Sequence, residues 1–424
     1  MATRRENLRQ EDGAEISEVR EVELVAPRGA PVASWRDRSD APKAAASDKG
    51  PSSFHIPSLD GLRGGAFLLV FLGHALPEKM LRFVPPAFGV TVFFVLSGYL
   101  ITTLLRKEYD RTATVNFRDF YLRRALRILP PFYIVLLLSS VLTAAHVVDG
   151  QVTLPTLAAY VLHAANYWTV YHGFDAIPGG TSVYWSLSVE EHFYLLFPLL
   201  YFAMRHFGFS ARRQLATIVS LCAAVLVWRI VLSGVLHADY ERLYRGTDTR
   251  VDAILAGCAL AVYGNPVLDR SRISDRTWRW VALPIGMVVL LMTSVIREPL
   301  FQAAFKGSLQ AAALIPFFVV AIRCPKWGPM RLFNTKLMGF VGLLSYGLYL
   351  THRMVLMLVE KWITTNVVLV VPIALGLCIA FCYGMYVLVE APCAQLRKRL
   401  TATKKPARTV KRMPTPMQPT PAVG

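Results

Sequence analysis

The chain has 424 residues, of which 54% are hydrophobic and 17% charged, and its formal net charge is +18. Soluble domains carry about 25% charged residues, so this composition, with a mean hydropathy of +0.41, excludes one and indicates an integral membrane protein. Apolar runs of about 20 residues recur, enough to cross roughly 30 Å of hydrocarbon as helix, whereas the short alternating segments of a β-barrel are missing.

The predicted fold class is all-α integral membrane, a bundle of about ten transmembrane helices. Residues 1–54 are polar, mixed in charge and rich in Ala, Pro and Ser, which reads as a disordered tail with no secretory signal. The spans are expected at 58–77, 86–105, 128–146, 185–204, 214–235, 250–265, 279–296, 308–323, 337–358 and 366–389. The loop from Arg106 to Arg127 is strongly basic, whereas Val147 to Tyr184 contains no Lys or Arg. Later basic clusters, such as Arg270, Arg272 and Arg276, fall on the side of Arg124, so the positive-inside rule puts both termini in the cytoplasm. That distribution accounts for the net charge without nucleic acid. The apolar stretch Leu154 to Trp168 is short and is read as interfacial. Residues 396–424 form a basic cytoplasmic tail suited to weak contact with anionic lipid.

The six cysteines lie in apolar segments or cytoplasmic loops, where disulfides are not expected. Cys378 and Cys382 are one turn apart, but no second pair completes a zinc site, so no metal is expected.

Arg63 and His74 lie in one apolar segment. At about 100° per residue they fall within about 20° of one helix face and about 16 Å apart along the axis. Ionisable groups inside a membrane usually mark a site, and such a pair suits a ligand with a phosphate at one end and chemistry at the other. The segment alone is equally compatible with a snorkelling Arg and a His bonded between helices. Arg124 and Arg127, three apart in Tyr121–Pro131, share a face that can clamp phosphates, or touch lipid phosphates as a stop-transfer cluster. At the head of the fourth span Glu190 and Tyr194 are one turn apart, and Glu191 points about 100° away in a place that also suits the helix dipole. Glu190 is read as a carboxylate that orients an imidazole. Arg250 and Asp252 open the sixth span, as site groups or as a helix-start pair. Tyr346, Tyr349 and His352 in the ninth line a polar cavity or bond between helices. Glu390 is read as a structural ion-pair partner beside Arg397.

In this order the stretches resemble the acyltransferase 3 family of multi-pass membrane O-acyltransferases. Arg63 and His74 match its Arg-x10-His pair, Phe94 to Ile101 its second-helix signature, and Arg124 and Arg127 its Arg-x-x-Arg motif. Trp185 to Tyr194, Arg250 to Asp252, Ser345 to His352 and Glu390 to Pro392 match its later motifs. The resemblance covers roughly residues 55–395, taken as the transmembrane acyltransferase domain. It implies an enzyme of the inner (plasma) membrane that moves an acyl group, commonly acetyl, from cytoplasmic acyl-CoA to a hydroxyl of a carbohydrate or glycoconjugate at the outer face. It implies no permanently bound cofactor. CoA phosphates are expected at Arg63, Arg124 and Arg127, with His74 as general base and Glu190 supporting the imidazole or the acceptor; an acyl-His intermediate stays open. Asp60, Tyr194, Arg250, Asp252, Tyr346, Tyr349 and His352 are expected around the substrates. The chain departs from the family at Thr351-His352-Arg353, where aromatic residues and a Pro are usual. The esterase-like domain of many members has no counterpart here, which suggests direct transfer. A transporter or flippase of a polar or lipid-linked solute is the alternative, although no inverted repeat supports it; a scaffold that has lost its chemistry is a third reading.

Overall fold

The computed structural model describes residues 56–77 and 86–402. The expected N-terminal tail and the C-terminal residues 403–424 lie outside the described residues. Among the described residues there are helices and connecting turns but no strand. In order they are α1 (Pro57–Ala75), α2 (Pro86–Thr112), α3 (Phe117–Ala144), α4 (Leu154–Val161), α5 (Ala165–His172), α6 (Trp185–His206), α7 (Ala211–Gly234), α8 (Tyr240–Arg245) and α9 (Thr247–Val262). Beyond them run α10 (Asp275–Val295), α11 (Phe301–Arg323), α12 (Met330–Phe333), α13 (Lys336–Trp362) and α14 (Val367–Leu400).

Seven of these helices, α2, α3, α7, α10, α11, α13 and α14, are long and apolar enough to cross a membrane. The other three expected spans coincide with α1, α6 and α9, which carry Arg63, Glu190 and Arg250. Polarity and position go together here. Helix α9 buries 11 of its 16 residues and α7 only four of its 24. A helix enclosed by others can hold polar groups because protein, not hydrocarbon, surrounds them. The exposed Val219, Leu221 and Val227 of α7 form the kind of face that lipid covers.

Two boundaries differ from expectation. The basic loop expected up to Arg127 is mostly helix: α2 runs on to Thr112 and α3 starts at Phe117, where the Asn116 side chain accepts a hydrogen bond from the Asp119 N–H. This cap satisfies one of the free donors of the first turn and places Arg124 and Arg127 on a rigid helix. The Leu154–Trp168 stretch is broken at His163, whose φ of 55° ends α4. Helices α4 and α5 have eight residues each, about 12 Å of rise, too little to span roughly 30 Å.

Helix α1 packs against α13 and α2, and α2 against α9. The α1–α13 contact is backbone to backbone: a Cβ on Gly342 would lie 1.8 Å from the Asp60 carbonyl oxygen, whereas one on Gly339, a turn away on the same helix, meets nothing within 4 Å. Gly342→Ala is therefore expected to force the helices apart, at the roughly 1–3 kcal/mol or more of an overpacked core. Gly339→Ala is expected to be neutral or slightly stabilising, since Ala is the better helix former. Thermal melting of the two variants in detergent checks this; equal melting would remove the close contact from the account.

Candidate active site

A cavity with about 800 Å³ of empty volume opens between α1, α2, α3, α6 and α13. Arg63, Arg124 and Arg127 line it together with Glu190, Glu191 and Tyr194. Tyr346, Tyr349 and Ser345 complete the wall. Residues from four separate helices, α1, α3, α6 and α13, thus meet in one place. Asp60 holds the first cation, its Oδ1 accepting from Arg63 Nη1 at 2.7 Å. Arg124 lies over the Tyr194 ring, 5.4 Å from its centroid, within cation–π range. Ser97 Oγ donates to Glu190 Oε1 at 2.9 Å, and the Tyr194 hydroxyl donates to Oε2 at 3.0 Å. The one-turn spacing of Glu190 and Tyr194 is realised as this bond. Glu191, read from its angle as a helix-start residue, faces the same cavity. The tyrosines of α13 are anchored outward: Tyr346 donates to the Ile128 carbonyl at 3.0 Å, and the Tyr349 hydroxyl lies 2.6 Å from Ser186 Oγ.

His74 is oriented by a histidine. The expectation that Glu190 supports its imidazole meets a different arrangement, because Ser97 and Tyr194 engage the carboxylate while His74 Nδ1 lies 3.2 Å from His352 Nε2. The protons can be placed from the carbonyls. His352 Nδ1 is 2.8 Å from the Tyr349 carbonyl, so it carries the hydrogen, and its Nε2 is then an acceptor. His74 Nδ1 is 3.0 Å from the Val70 carbonyl, so it too carries a hydrogen, shared between that oxygen and His352 Nε2. The lone pair of His74 is thereby left on Nε2, the form a general base requires. His352 is fully buried and its ring centroid is 5.6 Å from that of Tyr349, which joins the pair to the cavity wall.

Arg250 and Asp252 are not on this wall. Asp252 forms a buried ion pair with Arg229 of α7, Nη2 to Oδ2 2.7 Å, with side-chain exposures of 3% and 1%. Ser308 Oγ donates to the same oxygen at 2.5 Å and accepts from Arg229. Arg250 reaches Thr91 Oγ1 at 3.5 Å and lies 5.3 Å from the Tyr244 ring centroid. Arg229, Ser97, Glu191 and Ser308 were not singled out as site residues in the sequence. Arg229 carried a readable signal, a single cation within the apolar run from Gln214 to Val235. Ser97 and Ser308 carried none, because serine is tolerated in any spanning helix. Glu390, expected in an ion pair, keeps Oε1 buried without a partner. Among the described residues no group of His, Cys, Asp and Glu has the makings of a metal site.

A family model described as an acyltransferase domain matches residues 56–387. The chain belongs to the acyltransferase 3 family. A Staphylococcus aureus (strain COL) protein named as a putative O-acetyltransferase is 28% identical over 351 residues, 80% of this chain and 57% of its own. A Listeria monocytogenes protein named peptidoglycan O-acetyltransferase OatA is 28% identical over 311 residues, 70% of this chain and 49% of its own. This acyltransferase 3 chain thus spans about half the length of the curated relatives it matches. No solved structure matches it. Neither of these relatives bears a transporter's name.

The buried pair gives a direct test. Arg229→Met strands the Asp252 carboxylate inside the protein and is expected to cost about 3–5 kcal/mol, while replacing both partners with apolar residues is often near neutral. Thermal melting should therefore show a large loss for Arg229→Met and recovery in Arg229→Met/Asp252→Leu; a single variant as stable as the parent would refute the pairing.

Proposed function

We propose that the protein transfers an acyl group, acetyl in the simplest case, from cytoplasmic acyl-CoA to a hydroxyl of a cell-envelope carbohydrate at the outer face of the plasma membrane. The observation that carries this reading is the convergence of Arg63, Arg124 and Arg127 on one cavity whose far wall, Tyr349, touches the His352–His74 pair.

Three guanidiniums supply forked donors suited to phosphates, so they bind the charged end of CoA while the pantetheine arm reaches from the cavity toward His74. His74 Nε2 then takes the proton of the acceptor hydroxyl, and the oxygen attacks the thioester carbonyl. The tetrahedral intermediate collapses by breaking the carbon–sulfur bond, and the proton on His74 returns to the departing CoA sulfur, leaving an ester and a free thiol. His352 holds the imidazole in the basic tautomer throughout. Glu190, tied to Ser97 and Tyr194, orients the donor's acyl end or the acceptor. Only the acyl group crosses the bilayer, and the charged nucleotide stays on its own side.

Membrane topology supports this direction of transfer. Counting α1, α6 and α9 with the seven apolar helices gives ten spans and both termini on one side, which the basic connections assign to the cytoplasm. The Val147–Tyr184 connection, with neither Lys nor Arg, then lies outside. The Listeria relative is named for peptidoglycan O-acetylation, which makes a wall polysaccharide the first acceptor to test.

In purified, detergent-solubilised protein, alanine at Arg63, Arg124 or Arg127 is expected to weaken acetyl-CoA binding by roughly tenfold or more, the value of a charged hydrogen bond. His74→Ala is expected to bind acetyl-CoA normally and to slow transfer by roughly 10²–10⁴-fold, the usual share of general-base catalysis. Calorimetry and release of free CoA thiol check both. Unchanged donor affinity in all three arginine variants, or full turnover in His74→Ala, would overturn the assignment. His352→Phe, which removes one of the two acceptors of the His74 Nδ1 proton, is expected to lower kcat and to shift the pH–rate profile while leaving acetyl-CoA affinity unchanged.

A further inference from the structure

Helices α7 and α11 both lie on α9. They meet where Arg229 bonds Ser308 and part toward Ala211 and Arg323, where a second cavity, with about 1530 Å³ of empty volume, lies between them. Along the helices its wall is apolar, with Leu215 from α7, Leu260 from α9, and Ile315 and Val319 from α11. At the helix ends it is cationic. Arg106, Arg270, Arg272 and Arg323 line it there, and Asp269 is the one lining acid among the described residues. It shares no residue with the cavity of Arg63, Arg124 and Arg127.

The four arginines differ in what holds them. Arg106 donates twice to the Asp269 carboxylate, and Arg323 Nε donates to Asp275 Oδ1 at 2.7 Å. Both acids are thereby taken. Arg270 and Arg272, in the connection between α9 and α10, have no acid partner among the described residues. In the same wall Trp278 Nε1 is buried without an acceptor, and a buried donor is costly while it stays unpaired. Trp278 also opens a π-helical turn, Trp278–Ala282, a feature frequent at functional sites. A lone exposed arginine says little. Two unpaired guanidiniums and an unsatisfied indole N–H at the rim of an apolar cleft suit a ligand with an anionic head and an apolar body.

We propose that this cleft seats one anionic phospholipid of the cytoplasmic leaflet, its phosphate at Arg270 and Arg272 and an acyl chain between α7 and α11. Charge selects this occupant. Basic pockets between spanning helices on the cytoplasmic side bind anionic headgroups, and guanidiniums fork onto phosphate oxygens. Trp278 Nε1 donates to an oxygen of the same headgroup. Exposed apolar side chains of α7 and α10, such as Val219 and Ile285, flank the cleft, so a lipid enters it sideways from the bilayer. A soluble anion gains nothing from the apolar wall, and a zwitterionic lipid weakens the attraction with its own cation. The bound lipid fills the gap between α7 and α11 and holds both on α9. None of this depends on acyl transfer.

Native mass spectrometry of the full chain, released from detergent, counts bound lipid directly, with dioleoyl phosphatidylglycerol and dioleoyl phosphatidylcholine as probes. Wild type is expected to retain one phosphatidylglycerol with at least a tenfold preference over phosphatidylcholine. Arg270→Gln/Arg272→Gln is expected to weaken that retention at least tenfold. Leu215→Trp, which narrows the apolar cleft and leaves every charge in place, is expected to weaken it similarly. Arg212→Gln removes an exposed cation at the start of α7 that does not line the cleft, and is expected to change nothing. Monodisperse elution checks the folding of each variant. No preference for phosphatidylglycerol, or the same loss in Arg212→Gln as in the double variant, overturns the seat in favour of diffuse attraction. Retention that Leu215→Trp leaves intact overturns it too. Displacement of phosphatidylglycerol by glycerol 3-phosphate or coenzyme A overturns it in favour of a soluble anion. Lipid is counted without turnover, so failure here leaves acyl transfer standing, and failed transfer leaves the lipid seat standing.

Discussion

A charged side chain near the centre of a spanning helix costs about 2.5–3.5 kcal/mol, and the layout of this bundle follows from that penalty. Helix α9, which carries Arg250 and Asp252, is enclosed by its neighbours, and α1 and α6 bury half or more of their residues. Inside, nearly every ionisable group of these three helices has a named partner: Arg63 with Asp60, Glu190 with Ser97 and Tyr194, Asp252 with Arg229, His74 with His352. Each bond lowers the cost of keeping the group out of water. Those left short of partners are therefore informative. Arg124 and Arg127 face a cavity.

Helix α1 links the two halves of the proposed chemistry. Arg63 stands in the cavity and His74 lies three turns on, beside His352. A straight helix keeps that separation fixed, so the distance from phosphate clamp to base is built into the backbone. The tight seat of α1 on α13, with the Asp60 carbonyl against the Gly342 Cα, also fixes the register of His74 against His352. Close packing and proton placement are thus consequences of the same contact, and such preorganised geometry is what positions a reacting hydroxyl.

Much of this was legible in the sequence. Hydropathy located every long helix, and the motif residues from α1, α3, α6 and α13 do share one cavity. The misses have separable causes. Helical periodicity within one segment says which residues share a face, but not which other helix that face meets. Hence the partner of His74 was taken to be a carboxylate, and Asp252 was grouped with its sequence neighbour Arg250 instead of Arg229, 23 residues earlier. The extent of α3 was underestimated because spans were measured by apolar length, whereas the helix is set by the Asn116 cap and runs past the apolar stretch. Glu191 was assigned by its angle from Glu190, and the cavity is wide enough to take both.

The account's central claim is that one cavity holds the acyl donor with its phosphates at the three arginines and its thioester beside His74. A structure of the protein with acetyl-CoA bound tests it most directly. The claim predicts the CoA phosphates against Arg63, Arg124 and Arg127, and the acyl carbon within reach of His74 Nε2. CoA bound elsewhere, or in this cavity with its thioester turned away from His74, would contradict it.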